Sequence, residues 1–254
     1  MNSDAKLSFR LQPSFSRPVA LQVWSERMSR RNKILILVAC IFVMASLILG
    51  PPLRQSQSYH DFADRRTILG IPDFCDVISN SLFLVVGIVG LLRFRGTASR
   101  ILFFGVFCTS LGSAFYHLAP DNARLFWDRL PMTIAFMSLL AIAINRRKLT
   151  VPLVLLGVGS VVWWRTTDNL WPYGLVQFGT MAVLLVIAIR REPGLWPAFI
   201  FYGLSKISEH FDEQIYSVSP LSGHTIKHLL AGIATWCIYR WMRASQSQPE
   251  FEVT

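Results

Sequence analysis

Charge is scarce in this sequence. Asp, Glu, Lys and Arg make up 16% of its 254 residues, against about a quarter in soluble domains, and that shortage excludes an ordinary water-soluble globule. Acid is scarcer than base, 15 residues against 25, which leaves a formal net charge of +10. The four cysteines, Cys40, Cys75, Cys108 and Cys237, have no paired spacing. That excludes a disulfide framework and a cysteine-type zinc motif, and buried small apolar residues are expected instead. No internal repeat and no long polar linker interrupts the chain. A separate soluble domain is therefore excluded as well.

What is abundant is apolar side chain, at 52%, and it comes in runs. About 18 or more residues without charge read as a membrane-spanning helix. The first run, 34–50, follows a basic leader ending in Arg27, Arg30, Arg31 and Lys33, and Pro51-Pro52 closes it. No small-residue cleavage site follows, so a retained signal-anchor helix is expected. Further runs cover about 76–93, 100–119, 129–145, 149–164, 172–189, 195–211 and 223–241. The fold class expected is all-α: a polytopic membrane bundle of seven core helices plus one N-terminal helix.

The basic residues test that count. With the N-terminus in the cytoplasm, alternate segments hold seventeen Lys and Arg inside and six outside, while Lys206 and Lys227 fall within spans. Such a bias is the positive-inside rule, and it places both termini in the cytoplasm. A nucleic-acid-binding face would instead interleave base with aromatics on a soluble surface. The partner implied is the lipid bilayer, with no nucleic acid.

The last two runs are interrupted. Their uncharged stretches, Gly194–Ser205 and Leu229–Tyr239, are too short to cross about 30 Å of hydrocarbon at about 1.5 Å per residue. Each is completed only by polar residues: Lys206, Ser208, Glu209 and His210 in one, His224, Lys227 and His228 in the other. Ionisable groups at membrane depth are expensive, turned inward and functional. By the same topology His117 ends one span, Asp128 opens the next and His224 with His228 opens the last, all towards the non-cytosolic face.

The spacings suit chemistry. His224 and His228 stand at i, i+4, so both imidazoles share one helix face. Ser113 and His117 repeat that spacing. Three histidines leave the fourth tetrahedral position of zinc open, the arrangement of catalytic sites. A water activated there needs a proton acceptor, which Asp128 supplies, and an oxyanion donor, which Ser113 supplies. The plainer readings are helix-to-helix hydrogen bonding for the histidines, an ion pair of Asp128 with Arg124 or Arg129, and simple packing for Ser113.

These residues resemble the alkaline ceramidase family, within the seven-helix membrane hydrolases that also contain adiponectin-receptor-like proteins. The resemblance rests on Ser113-x3-His117, Asp128 eleven residues later, and His224-x3-His228. It covers roughly residues 60–242. Asp73 before Ser79-Asn80 and the run Asp128-Arg-Leu-Pro-Met132 are similar too, although Arg129 departs from the acidic residue of the family pattern. The resemblance implies a seven-helix hydrolase domain at 59–243, preceded by a basic cytoplasmic segment (1–33) and an added transmembrane helix with linker (34–58), and followed by a cytoplasmic tail (244–254). It implies zinc on His117, His224 and His228, and hydrolysis of a ceramide-like membrane lipid to a sphingoid base and a fatty acid. It also suggests calcium near Asp61, Asp64 and Asp73, which crowd one region together with Asp76 and offer oxygen ligands; a solvated acidic loop reads equally well. Two other functions remain open: a zinc-dependent lipid esterase, and a receptor-like protein whose metal is structural, with His210 as a fourth ligand.

Overall fold

The computed structural model describes residues 50–246. The expected leader 1–33, the helix 34–50 apart from Gly50, Cys40 and the tail from 247 onward lie outside the described residues. Among the described residues the fold is all-helical. The one departure is an isolated antiparallel bridge between Ile68 and Ile71, turned through Leu69 (φ 53°) and Gly70 (φ 78°). The positive φ explains a glycine there.

The long elements are α1 (Phe74–Arg93), α2 (Thr97–His117), α3 (Asn122–Ala143), α4 (Arg147–Thr167) and α5 (Trp171–Arg190). Each is long and apolar enough to cross a membrane. Two further helices follow, α6 (Trp196–His210) and α7 (Gly223–Gln246), joined by a short helix at Asp212–Tyr216. Many large apolar side chains point outward, among them Leu111, Leu155, Phe178, Ile189 and Ile207. A surface this greasy suits lipid rather than water; the chain is consistent with an integral membrane protein.

Helix starts explain where the sequence boundaries were misjudged. Charges at Arg124, Asp128 and Arg129 interrupt the hydropathy of α3, so the sequence pattern begins that span near 129. The helix begins at Asn122, because the Asp121 side chain accepts from the Arg124 N–H at 2.7 Å and caps it. Asp128 consequently sits nearly two turns inside α3 rather than at its opening. Small residues then set the helix spacing. A Cβ on Gly112 would strike the Trp127 carbonyl, and one on Gly105 would come within 2.8 Å of the Ala135 nitrogen. Gly105 and Gly112, two turns apart on one face, let α2 and α3 approach closely, which brings Ser113 to Asp128.

The core divides into two clusters. Phe94, Phe103, Leu139, Leu184 and Tyr239 belong to one; Phe62, Tyr116, Leu125, Val161, Trp164 and Tyr173 form the other. The histidines lie with the second.

Candidate metal centre

His117 is the last residue of α2, and His224 and His228 lie in the first turns of α7. Folding buries all three to 4% exposure or less and gathers them, so that one ligand nitrogen from each lies within 4.8 Å of the others. His117 Nε2 and His224 Nε2 are 3.3 Å apart, the separation of about 3.3 Å that two nitrogens at 2.0–2.1 Å from a tetrahedral ion would have. The cluster could hold a metal ion. It is the one such group of three or more among the described residues.

Hydrogen bonds fix the ring states. Ser79 Oγ donates to the Asp76 carbonyl (3.0 Å) and lies 2.8 Å from His228 Nδ1. A hydroxyl has one hydrogen, so His228 Nδ1–H donates to Ser79, and Nε2 keeps the lone pair a metal needs. This is the outer-shell support that orients imidazole ligands. His117 Nδ1 is buried without a partner. Lys227 Nζ donates to Glu209 Oε1 at 2.7 Å and stands 3.2 Å from His224 Nε2. A metal ion on that nitrogen would take the place of the second contact, and the bond to Glu209 would still keep Lys227 nearby. Phe62 lies over His117 and His224, with ring centres 4.7 and 4.2 Å away, and shields them from water.

The start of α7 is held for this purpose. Ser222 Oγ accepts from the Thr225 N–H (3.0 Å) and Asp212 Oδ1 from the His224 N–H (2.7 Å). Asp212 Oδ2 also accepts from the Ala63 N–H at 3.0 Å, tying down the loop that carries Phe62. A Cβ on Gly223 would strike the Ser208 carbonyl and come within 2.7 Å of Asp212 Cα, so only glycine fits there. Asp76 is fully buried and accepts from Thr225 Oγ1 at 2.5 Å.

A cavity of about 530 Å³ opens beside the histidines. His228, Asp128 and Ser113 line its polar end, Ser113 on α2 and Asp128 on α3. From there apolar walls run down to Leu102, Leu139, Leu195 and Ile238. Ser113 and Leu102 are eleven residues apart on α2, so the apolar part is about 16 Å deep at 1.5 Å per residue. At the polar end Glu209 bridges Lys206 (2.8 Å) and Lys227 (2.7 Å). This pairing reduces the penalty of charge inside two otherwise apolar helices.

No protein-family model, curated protein or solved structure matches the chain. The site is read from its own chemistry.

Other expected residues lie elsewhere. His210 is exposed, meets Phe211 edge to face with ring centres 4.9 Å apart and is outside the histidine cluster. Asp61, Asp64 and Asp73 are not brought together as a metal-holding group among the described residues. Arginines take the first two: Arg65 donates to Asp61 at 2.8 Å, and Arg66 to Asp64 at 2.8 and 2.7 Å. Asp73 sits just before α1 with a left-handed backbone, and burial pushes its carboxyl up against the lowering effect of Arg65. The acid pointing into the bundle near Ser79-Asn80 is Asp76, not Asp73. Sequence reading also missed Phe62, the Lys206–Glu209–Lys227 group as a unit, and Arg129, which does not ion-pair with Asp128 but donates to Gln55 Oε1 at 2.6 Å.

Arg66 ties the segment before α1 to the segment before α7. It also donates to the Pro220 carbonyl at 2.6 Å, and Tyr216 donates to Asp64 at 3.2 Å. The Arg66 bond holds the Asp64 carboxyl below its ordinary value of 3.8. A folded pKa below the unfolded one stabilises the fold above the unfolded value and loses that stability as pH falls through the folded one. The melting temperature should therefore stay level from neutral pH to about 5 and fall below about 4. Asp64→Asn protein should start lower and show a shallower acid slope; identical slopes would remove Asp64 from the account.

Proposed function

We propose that this chain is a zinc-dependent membrane amidase that hydrolyses the N-acyl bond of ceramide-like lipids, releasing a sphingoid base and a fatty acid. The observation that carries the reading is one junction: a cluster of three convergent buried imidazoles reaches, through His228, the cavity that Asp128 also lines and whose walls are otherwise mostly apolar. The resemblance to alkaline ceramidases adds to it. We further propose a bundle of seven core helices in the bilayer, α6 and α7 included, with an added N-terminal helix, both termini cytoplasmic and the site facing the non-cytosolic side.

His117, His224 and His228 would hold the ion. When bound, zinc supplies Lewis acidity, polarising an acyl carbonyl and making water acidic near neutral pH. Asp128 takes the proton of the attacking water and passes it to the leaving nitrogen. Ser113, lining the same cavity as Asp128, donates to the oxyanion that develops on the acyl carbonyl. The apolar walls take the acyl chain and keep bulk water from the reacting carbonyl. Lys227, held by Glu209, keeps its ammonium beside His224 and adds positive potential where negative charge develops.

A lipid esterase would use the same groups, so substrate comparison is the test. Purified protein in detergent should release fatty acid from a fluorescent ceramide, lose that activity to a chelator and regain it with zinc. Faster cleavage of a matched diacylglycerol ester than of the ceramide would replace amidase by esterase. A metal with a purely structural role would show no turnover of either.

A further inference from the structure

Arg129 is a buried charge to which the proposed chemistry gives no role. It is 6% exposed, on α3, next to Asp128. Its guanidinium carbon lies 4.3 Å from the ring centre of Trp164, 4.8 Å from Tyr173 and 5.5 Å from Tyr59. Such faces hold a cation in place without neutralising it. Nη2 donates to Gln55, whereas Nη1 is buried with no hydrogen-bond partner. Among the described residues no carboxylate lies within ion-pair distance of it. A buried cation held by aromatic rings and one neutral amide, with a donor unmet, is equipped to bind an acceptor ligand.

Its surroundings say what that ligand is. Arg129, Gln55, Tyr59 and Tyr173 line the same cavity as Asp128 and His228. On the α6–α7 side, one carboxylate, Glu209, serves two ammonium groups, Lys206 and Lys227. The cavity's polar end thus carries three cations against Asp128 and Glu209, a positive excess before any metal ion is counted. The two positive groups also flank the reacting centre on different elements, one near α4 and α5 and the other between α6 and α7. A head group bearing only hydroxyls leaves that excess uncompensated. The planar guanidinium fork matches an oxyanion.

We propose that Arg129 binds an oxyanion on the head group, so that the preferred substrate is an N-acyl lipid with an anionic head, such as a carboxylate, rather than a neutral one. This rests on the amidase reading for the orientation (acyl chain down the apolar walls, amide at Asp128, head group towards Arg129) and narrows its substrate class: a neutral ceramide-like lipid is cleaved, but more slowly than an N-acyl lipid with an anionic head.

The test uses full-length protein in detergent and probes that share one acyl chain: N-palmitoylglycine (anionic), N-palmitoylethanolamine (neutral) and palmitate (the free acid). Binding is read from tryptophan fluorescence, since Trp164 lies against Arg129, and turnover is measured in parallel. Wild type should bind N-palmitoylglycine roughly tenfold or more tighter than the neutral amide, the scale of a charge-assisted hydrogen bond. Arg129→Met should erase that difference by weakening the anionic probe alone, and Arg129→Lys should restore part of it. Equal weakening of both amides makes Arg129 structural and overturns the proposal. Weakening confined to palmitate overturns it too, because the arginine then holds the product's carboxylate. If Arg129→Met fails to fold, the wild-type preference between the two amides decides alone. Charge-selective, Arg129-dependent binding without hydrolysis would sink the amidase reading and keep this one; hydrolysis without charge preference would do the reverse.

Discussion

Asp128→Asn should retain metal at the wild-type level and lose about 10²–10⁴-fold in turnover, the contribution of a positioned general base. The side chain lies on α3 and outside the histidine cluster, so its loss leaves the ligands untouched. The asparagine amide keeps the size, but it cannot take a proton at working pH. The effect therefore belongs to kcat, with substrate affinity nearly unchanged. Normal turnover in this variant would move the base elsewhere, and Glu209 is the other carboxylate lining the cavity. A simultaneous loss of metal would mean that Asp128 positions the ligands rather than the proton.

His228→Ala should abolish turnover completely, because it removes a ligand and the anchor that orients it. His228 is the imidazole with the best-defined support: Nδ1–H to Ser79, and Ser79 in turn to the Asp76 carbonyl. Its loss leaves two imidazoles for an ion that structural and catalytic sites bind with at least three protein groups. The fold should survive, since α7 remains attached through the Glu209–Lys227 bond and the Asp212 cap. A melting curve beside wild type checks that. His210→Ala, at an exposed position outside the cluster, should change neither turnover nor metal.

The histidines were legible in the sequence because helical periodicity is short-range information. An i, i+4 pair announces a shared face, and the alternation of basic loops assigns helix ends to one side. Together they bring His117, His224 and His228 to one end of the bundle without coordinates. Asp128 was legible as a residue but not in its depth, since the cap at Asp121 starts α3 earlier than hydropathy suggests. Lys206, Glu209 and Lys227 could be seen to turn inward, yet their pairing across α6 and α7 depends on helix rotation, which composition does not encode. Arg129 was wholly misread. Its neighbour in sequence is a carboxylate, but its partners are Gln55, 74 residues away, and aromatic rings on α4 and α5. Phe62 lay hidden for the same reason: an ordinary apolar residue in a loop becomes a cover over two imidazoles only when Asp212 ties that loop to α7.

The metal content of the purified chain, measured by elemental analysis after removal of adventitious ions, tests the central claim most directly. Wild type should carry about one zinc per chain, and equally folded His228→Ala essentially none. Folded wild-type protein that takes up no zinc, or His228→Ala that keeps it, would contradict the account.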